Sequence, residues 1–158
     1  MKIKKNKYDI VVNFLSLLCL VGTVIFLIIS WETIPAEIPG HYNGAGEVDK
    51  ITDKNSLIVL LAVEWIMFIG LSVVEKFPQI WNTGIQATEQ NTEKVYRILK
   101  TMIGTIKLLF VLVFSYLTIH STTGENLSFL FLPVVLILIF GAMAFFIFQL
   151  GKEKWINV

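Results

Sequence analysis

The chain has 158 residues, 55% of them hydrophobic, with a formal net charge of +1 and a mean hydropathy of +0.72. Soluble domains are nearer about 45–50% apolar, so the surplus belongs either to an oversized core or to a bilayer. The single cysteine, Cys19, excludes an internal disulfide, and the lack of a basic stripe or a nucleic-acid motif argues against a nucleic-acid partner.

The apolar residues fall into four runs, at about 10–30, 56–75, 98–119 and 127–149. Each is near the ~20 residues that cross a hydrocarbon core of about 30 Å. They predict an all-α integral membrane protein, a single four-helix domain over residues 1–158. A basic tail, with Lys2, Lys4, Lys5 and Lys7, comes first. The first run exceeds the about 7–15 residues of a secretory signal's apolar region and lacks a small-residue cleavage site, so it reads as a retained helix. Asp9, Ser16, Thr23 and Ser30 recur every seven residues along it, with Asn13 beside them. Such a stripe shares one helix face, and small or hydroxylated residues in lipid mark helix contact, so this face is expected to look inward.

Residues 31–54 form a polar loop too long for a plain connection, the kind that is usually functional or disordered. It is a shaped loop: Pro35 and Pro39 restrict the backbone, Asn43-Gly44 is a turn signal, and Gly46 follows. The second run carries Glu64. In the segment 76–97, Pro78 is a helix stop, Trp81 an interface anchor, and Thr88, Asn91 and Thr92 are N-cap candidates, so the third helix is expected to begin inside it. The third run carries Lys107. "HSTTGEN", residues 120–126, is a tight turn that makes the last two runs an antiparallel pair. Gly104 and Gly141 would permit close helix approach, and Pro133 is tolerable in a first helical turn.

Lys and Arg number four in the N-terminal tail, two in the first loop, four between the second and third runs, none in the 120–126 turn and two in the C-terminal tail. Ten against two places both termini in the cytoplasm by the positive-inside rule, with the 31–54 loop outside and the 76–97 segment inside. The outer face then carries Glu32, Glu37, Glu47, Asp49, Asp53 and Glu125 and is acidic.

Glu64 and Lys107 are the sharpest features within the spans. Charges at such depth cost at least about 2.5–3.5 kcal/mol each on insertion scales and mark functional sites by default. Counted from the outer ends of their runs they lie about 12 and 18 Å deep, roughly one helical turn apart. They read as an ion pair locking two helices, as a functional polar pocket, or as unpaired charges with Lys107 snorkelling. On the outer face, His41, Asp49 and His120, or Glu37 in place of the last, are the residue types that hold a divalent metal such as Zn²⁺, although no spacing matches a metal motif. His41 also reads as a residue that shapes the loop through hydrogen bonds.

Trp31, Ile34, Pro35, Ile38, Pro39, His41, Tyr42, Asn43, Gly46, Asp49 and Lys54 in "WETIPAEIPGHYNGAGEVDKITDK" resemble the signature of the DUF1648 family of bacterial membrane proteins. Asn82, Thr88, Asn91 and Tyr96 in the inner segment extend the resemblance, which covers about residues 10–120. "KITDK" departs from it, where members commonly show a glycine or aromatic before the lysine. The resemblance implies a multi-pass protein of the bacterial plasma membrane. Through the Sdp-type immunity proteins related to this family, it also implies protection against a secreted toxic peptide and signalling to a repressor. Pro39, His41, Tyr42, Asn43, Gly46 and Asp49 would then form the outer binding surface, and Asn82, Thr88, Asn91 and Tyr96 the surface for a cytoplasmic partner.

The leading expectation is a non-enzymatic membrane protein that binds an extracellular peptide or signal, with no cofactor. A small transporter or ion-translocating subunit using Glu64 and Lys107 is the second, and would need a homo-oligomer or a membrane partner. A metal-dependent enzyme at the outer face is the third; the absence of a nucleophile elbow, phosphate loop or dinucleotide signature argues against enzyme activity.

Overall fold

The architecture is that of a computed structural model, which describes residues 3–81, 84–85 and 88–155. In chain order it runs α1 (Lys7–Ser30), β1 (Glu37–Tyr42), β2 (Val48–Asp53), α2 (Ser56–Val74), a 3-10 turn (Pro78–Ile80), α3 (Thr92–Ser121) and α4 (Phe131–Trp155). Among the described residues, four helices are long and apolar enough to cross a membrane. Their outward faces carry the chain's large exposed hydrophobics, from Phe14 and Ile28 on α1 to Ile137 and Phe148 on α4. That is the apolar surface a bilayer would cover.

The sequence predicts an all-α chain, and here the structure differs. The 31–54 loop is a two-stranded antiparallel hairpin, pairing Glu37 with Asp53 and Tyr42 with Val48. Its register is irregular around His41, where Pro39 and Gly40 break the strand rhythm. Helix boundaries shift as well. α3 begins at Thr92, inside the 76–97 segment as expected, while α4 begins four residues later than the apolar run. Residues 127–130 turn first, with the Ser128 carbonyl accepting from the Phe131 amide at 2.9 Å.

α3 is the hub: α1, α2 and α4 all pack on it, and α1 touches α2 more lightly. The α1 stripe does face inward, with Asp9, Ser16 and Thr23 buried beside Val12, Leu20 and Leu27. An added Cβ on Gly104 would meet Val12 at 3.7 Å, ordinary contact where α1 and α3 approach, whereas at Gly141 it would meet nothing. The close approach expected at Gly141 is therefore absent.

α1 starts with a capping box. The Asn6 side chain accepts from the Asp9 amide at 2.8 Å, and Asp9 Oδ2 accepts from the Asn6 amide at 3.0 Å, satisfying first-turn donors that the helix leaves unpaired. Asp9 Oδ2 also accepts from Arg97 at 3.0 Å and Lys100 at 3.3 Å, both on α3.

Candidate functional site

The hairpin is docked onto the helices. Ile34 and Ile38 are buried with Leu27 of α1 and Leu57 of α2, flanked by Trp31 and Leu60. Lys54 closes the loop at its base. Its Nζ donates to the Trp31 carbonyl at 2.9 Å and lies 5.0 Å over the Trp31 ring. A cation there also meets the negative end of the α1 dipole. At the tip, the Leu127 amide donates to the Gly46 carbonyl at 2.8 Å, and the Val48 amide donates to Asn126 Oδ1 at 2.8 Å. The turn between α3 and α4 thus holds the hairpin down.

Asn43 is taken up by the turn itself. Its Oδ1 accepts from the amides of Ala45 at 2.9 Å and Glu47 at 3.0 Å, and its Nδ2 donates to Glu47 Oε2 at 2.9 Å. Asparagine is suited to this because its short amide folds back onto the backbone two residues on. His41 and Asp49 face each other across the strands, with Nδ1–H donating to Asp49 Oδ1 at 2.6 Å. Both are well exposed, 64% and 43%. The bond fixes the proton on Nδ1 and leaves Nε2 to act as acceptor or ligand in the neutral ring.

Beneath the hairpin lies a cavity of about 500 Å³. Pro39, His41 and Tyr42 form its roof, and Leu60, Ser121 and Phe131 are among its walls on α2, α3 and α4. The Tyr42 hydroxyl is 3.4 Å from that of Ser121. Burial pushes the Tyr42 phenol above its ordinary value, and the Ser121 bond pulls it partly back. At neutral pH it is therefore a donor. His120 stacks on Tyr116 at 5.4 Å and 11°, and Tyr116 stacks in turn on Phe131 at 5.1 Å. The cavity is thus a mostly apolar pocket with a few polar groups at its mouth, the ordinary form of a small-ligand site.

The proposed metal triad does not assemble. His120 Nε2 lies 3.2 Å from the Asn126 carbonyl, and no group of three His, Cys, Asp or Glu side chains converges among the described residues.

Glu64 and Lys107 do not pair either. Lys107 Nζ, fully buried, donates to Glu75 Oε2 at 2.6 Å, Asn13 Oδ1 at 2.8 Å and Ser72 Oγ at 3.2 Å. Glu64 instead accepts from Ser115 at 2.5 Å. α2 and α3 run antiparallel, and this register sets Ser72 opposite Lys107 and Glu64 opposite Ser115. The two charged groups are thus two helical turns apart, about 12 Å. Glu64 Oε2 and Thr118 Oγ1 are buried without a hydrogen-bond partner among the described residues.

In the 76–97 segment, Asn91 occupies the N-cap position of α3. Its Oδ1 turns back to accept from the Thr88 amide at 2.7 Å, and the Thr92 hydroxyl donates to the Thr88 carbonyl. Tyr96 packs against Trp81 with ring centroids 5.9 Å apart, and Trp81 Nε1 donates to the Val74 carbonyl at 2.8 Å. Thr88, Asn91 and Tyr96 thus shape the start of α3. Asn82 lies outside the described residues.

Sequence reasoning missed Ser115, Glu75, Asn126 and Tyr116. None carries a local signal: Ser115, Glu75 and Tyr116 acquire their roles through the register between helices, and Asn126 through the docking of the hairpin.

These features define a class: a membrane-type four-helix bundle roofed at one end by a β-hairpin over a cavity. Residues 17–63 match the family model of DUF1648, a domain of unknown function. The match spans most of α1, the hairpin and the first part of α2, so the resemblance read in the 76–97 segment lies outside it. No curated protein and no solved structure matches the chain.

Proposed function

We propose that this is a non-enzymatic membrane protein of the bacterial plasma membrane that binds an extracellular peptide or signal at the hairpin end, with both termini cytoplasmic. The observation that supports the reading is the cavity of about 500 Å³ under a docked hairpin. It offers an apolar pocket for an anchoring side chain, with Tyr42 and His41 at its rim. Glu37, Glu47, Asp49, Asp53 and Glu125 are exposed around it, and would attract a cationic peptide over about one Debye length, ~8 Å at physiological salt. Protection against a secreted toxic peptide, as in Sdp-type immunity, is the form of the reading that the sequence resemblance favours.

The test is survival of expressing and deleted cells against a panel of cationic secreted peptides. His41→Ala should remove protection while leaving the protein folded: an exposed pair contributes at most about 1 kcal/mol, so thermal unfolding of the variant in detergent should follow the wild type. Equal sensitivity of expressing and deleted cells across the panel would sink the reading.

One observation favours a second reading. Glu64 Oε2 and Thr118 Oγ1, both buried and unpartnered, are polar groups in mid-bundle of the kind that line ion pathways. Under that reading Glu64 alone is the translocating acid, because Lys107 is tied to Glu75. Glu64→Gln keeps an acceptor for Ser115, so the fold should persist while proton or cation flux in proteoliposomes is lost. Unchanged flux would leave Glu64 with a packing role.

A further inference from the structure

A second cavity, of about 790 Å³, opens at the opposite end of the bundle from the hairpin. It is lined by the tail from Ile3 to Lys5, by Asn13 of α1, by Glu75 and Lys76 at the end of α2, and by Lys100 of α3. Its charge is one-sided. Lys4, Lys5, Lys76 and Lys100 line it with a single carboxylate, Glu75, and Glu75 is already neutralised by Lys107 at 2.6 Å. The next carboxylate behind the wall, Asp9, is shared between Arg97 at 3.0 Å and Lys100 at 3.3 Å. Six cations thus stand against two carboxylates in and behind one cleft.

The cleft is built rather than a loose tail of lysines. Lys100 has a side chain only 6% exposed, and its Nζ reaches the Ile3 carbonyl at 3.5 Å. Arg97 donates to the Lys4 carbonyl. The tail is therefore pinned as a wall by the same two α3 cations that hold Asp9.

We propose that this cleft holds the phosphodiester headgroup of an anionic phospholipid. Surplus cations on a pinned frame suit the singly charged oxygens of a phosphodiester, with lysines acting as adjustable point charges. Ile3 and the buried Pro78 add an apolar wall, which suits a lipid's glycerol and upper acyl chain better than a free ion. The cleft also sits where α1 begins and α2 ends, at Lys7 and Val74, the level at which a membrane-length helix meets headgroups.

The experiment uses full-length protein in neutral detergent, with dioleoyl phosphatidylglycerol or dioleoyl phosphatidylcholine added and lipid retention read by native mass spectrometry. The variant is Lys5→Gln with Lys76→Gln; both lysines are exposed and neither makes an ion pair among the described residues. The wild type should retain about one phosphatidylglycerol per chain and unfold at a higher temperature with it, and phosphatidylcholine should do neither. The double variant should unfold like the wild type without lipid and bind phosphatidylglycerol roughly tenfold or more weakly. Equal retention of the two lipids, or undiminished phosphatidylglycerol binding by the variant, would overturn the proposal. Stabilisation by inorganic phosphate matching that by phosphatidylglycerol would overturn the lipid assignment in favour of a soluble phosphate.

Discussion

Lys107→Met will destabilise the bundle by roughly 3–5 kcal/mol, the usual consequence of removing one partner of a buried ion pair. Lys107 is fully buried, and Glu75, its partner at 2.6 Å, is only 10% exposed. The same ammonium binds Asn13 of α1 and Ser72 of α2, so one side chain ties three helices together. Asn13 extends the tie, since its Nδ2 donates to the Asp9 carbonyl at 2.7 Å. Methionine fills much of the lysine stem's volume, so the loss is electrostatic: a carboxylate only 10% exposed is left without its ion-pair partner. Thermal unfolding in detergent should show a large fall for Lys107→Met and substantial recovery in the Lys107→Met, Glu75→Leu double variant, which removes both charges. If the single variant unfolds like the wild type, Glu75 reaches water and the pair does not hold the bundle. Glu64→Gln in the same assay should change little, which separates the locking pair from the mid-bundle acid held by Ser115.

That contrast also shows what could be read in advance. The four helices follow from run length and composition alone, because a bilayer demands long, unbroken apolar stretches. The inward face of α1 follows from a seven-residue recurrence, and Asp9, Ser16 and Thr23 are indeed buried. The tip of the loop follows from Asn43-Gly44. The actual partners of Glu64 and Lys107, Ser115 and Glu75, are not readable in this way. Depths counted from the ends of apolar runs place the two about a turn apart, but helix register depends on where α2 stops and α3 starts. Those points are fixed by the 3-10 turn at Pro78–Ile80 and by the start of α3 at Thr92, not by hydropathy. The strands were hidden for a different reason: six-residue segments carrying Pro39, Gly40 and several charges show no clean alternation. Within the loop motif, the structure separates two roles that sequence runs together. Trp31, Ile34, Ile38 and Lys54 fasten the hairpin to the helices, whereas His41 and Asp49 remain exposed.

Gly46→Ala will lift the hairpin from the bundle. Gly46 has φ +86°, and a Cβ there would lie 2.6 Å from the Leu127 carbonyl oxygen and 3.1 Å from that of Ser128. Both obstacles are backbone, so no side chain can swing aside to relieve the clash. The left-handed conformation alone costs about 1–2 kcal/mol for a residue with a Cβ, and overpacking against fixed atoms adds about 1–3 kcal/mol. The chain will escape by moving the tip outward, which breaks the Leu127–Gly46 and Val48–Asn126 hydrogen bonds and opens the roof of the cavity. Gly44 is the internal control: it lies two residues away in the same turn, its φ is not positive, and an added Cβ meets nothing within 4 Å. Gly44→Ala should therefore be nearly silent. Hydrogen exchange should show the amides of Val48 and Leu127 losing protection in Gly46→Ala and keeping it in Gly44→Ala, while α2 and α3 remain protected in both. If the roofed cavity is the binding site, Gly46→Ala should lose peptide protection together with those amides. Retained protection with a lifted hairpin would place recognition elsewhere on the molecule.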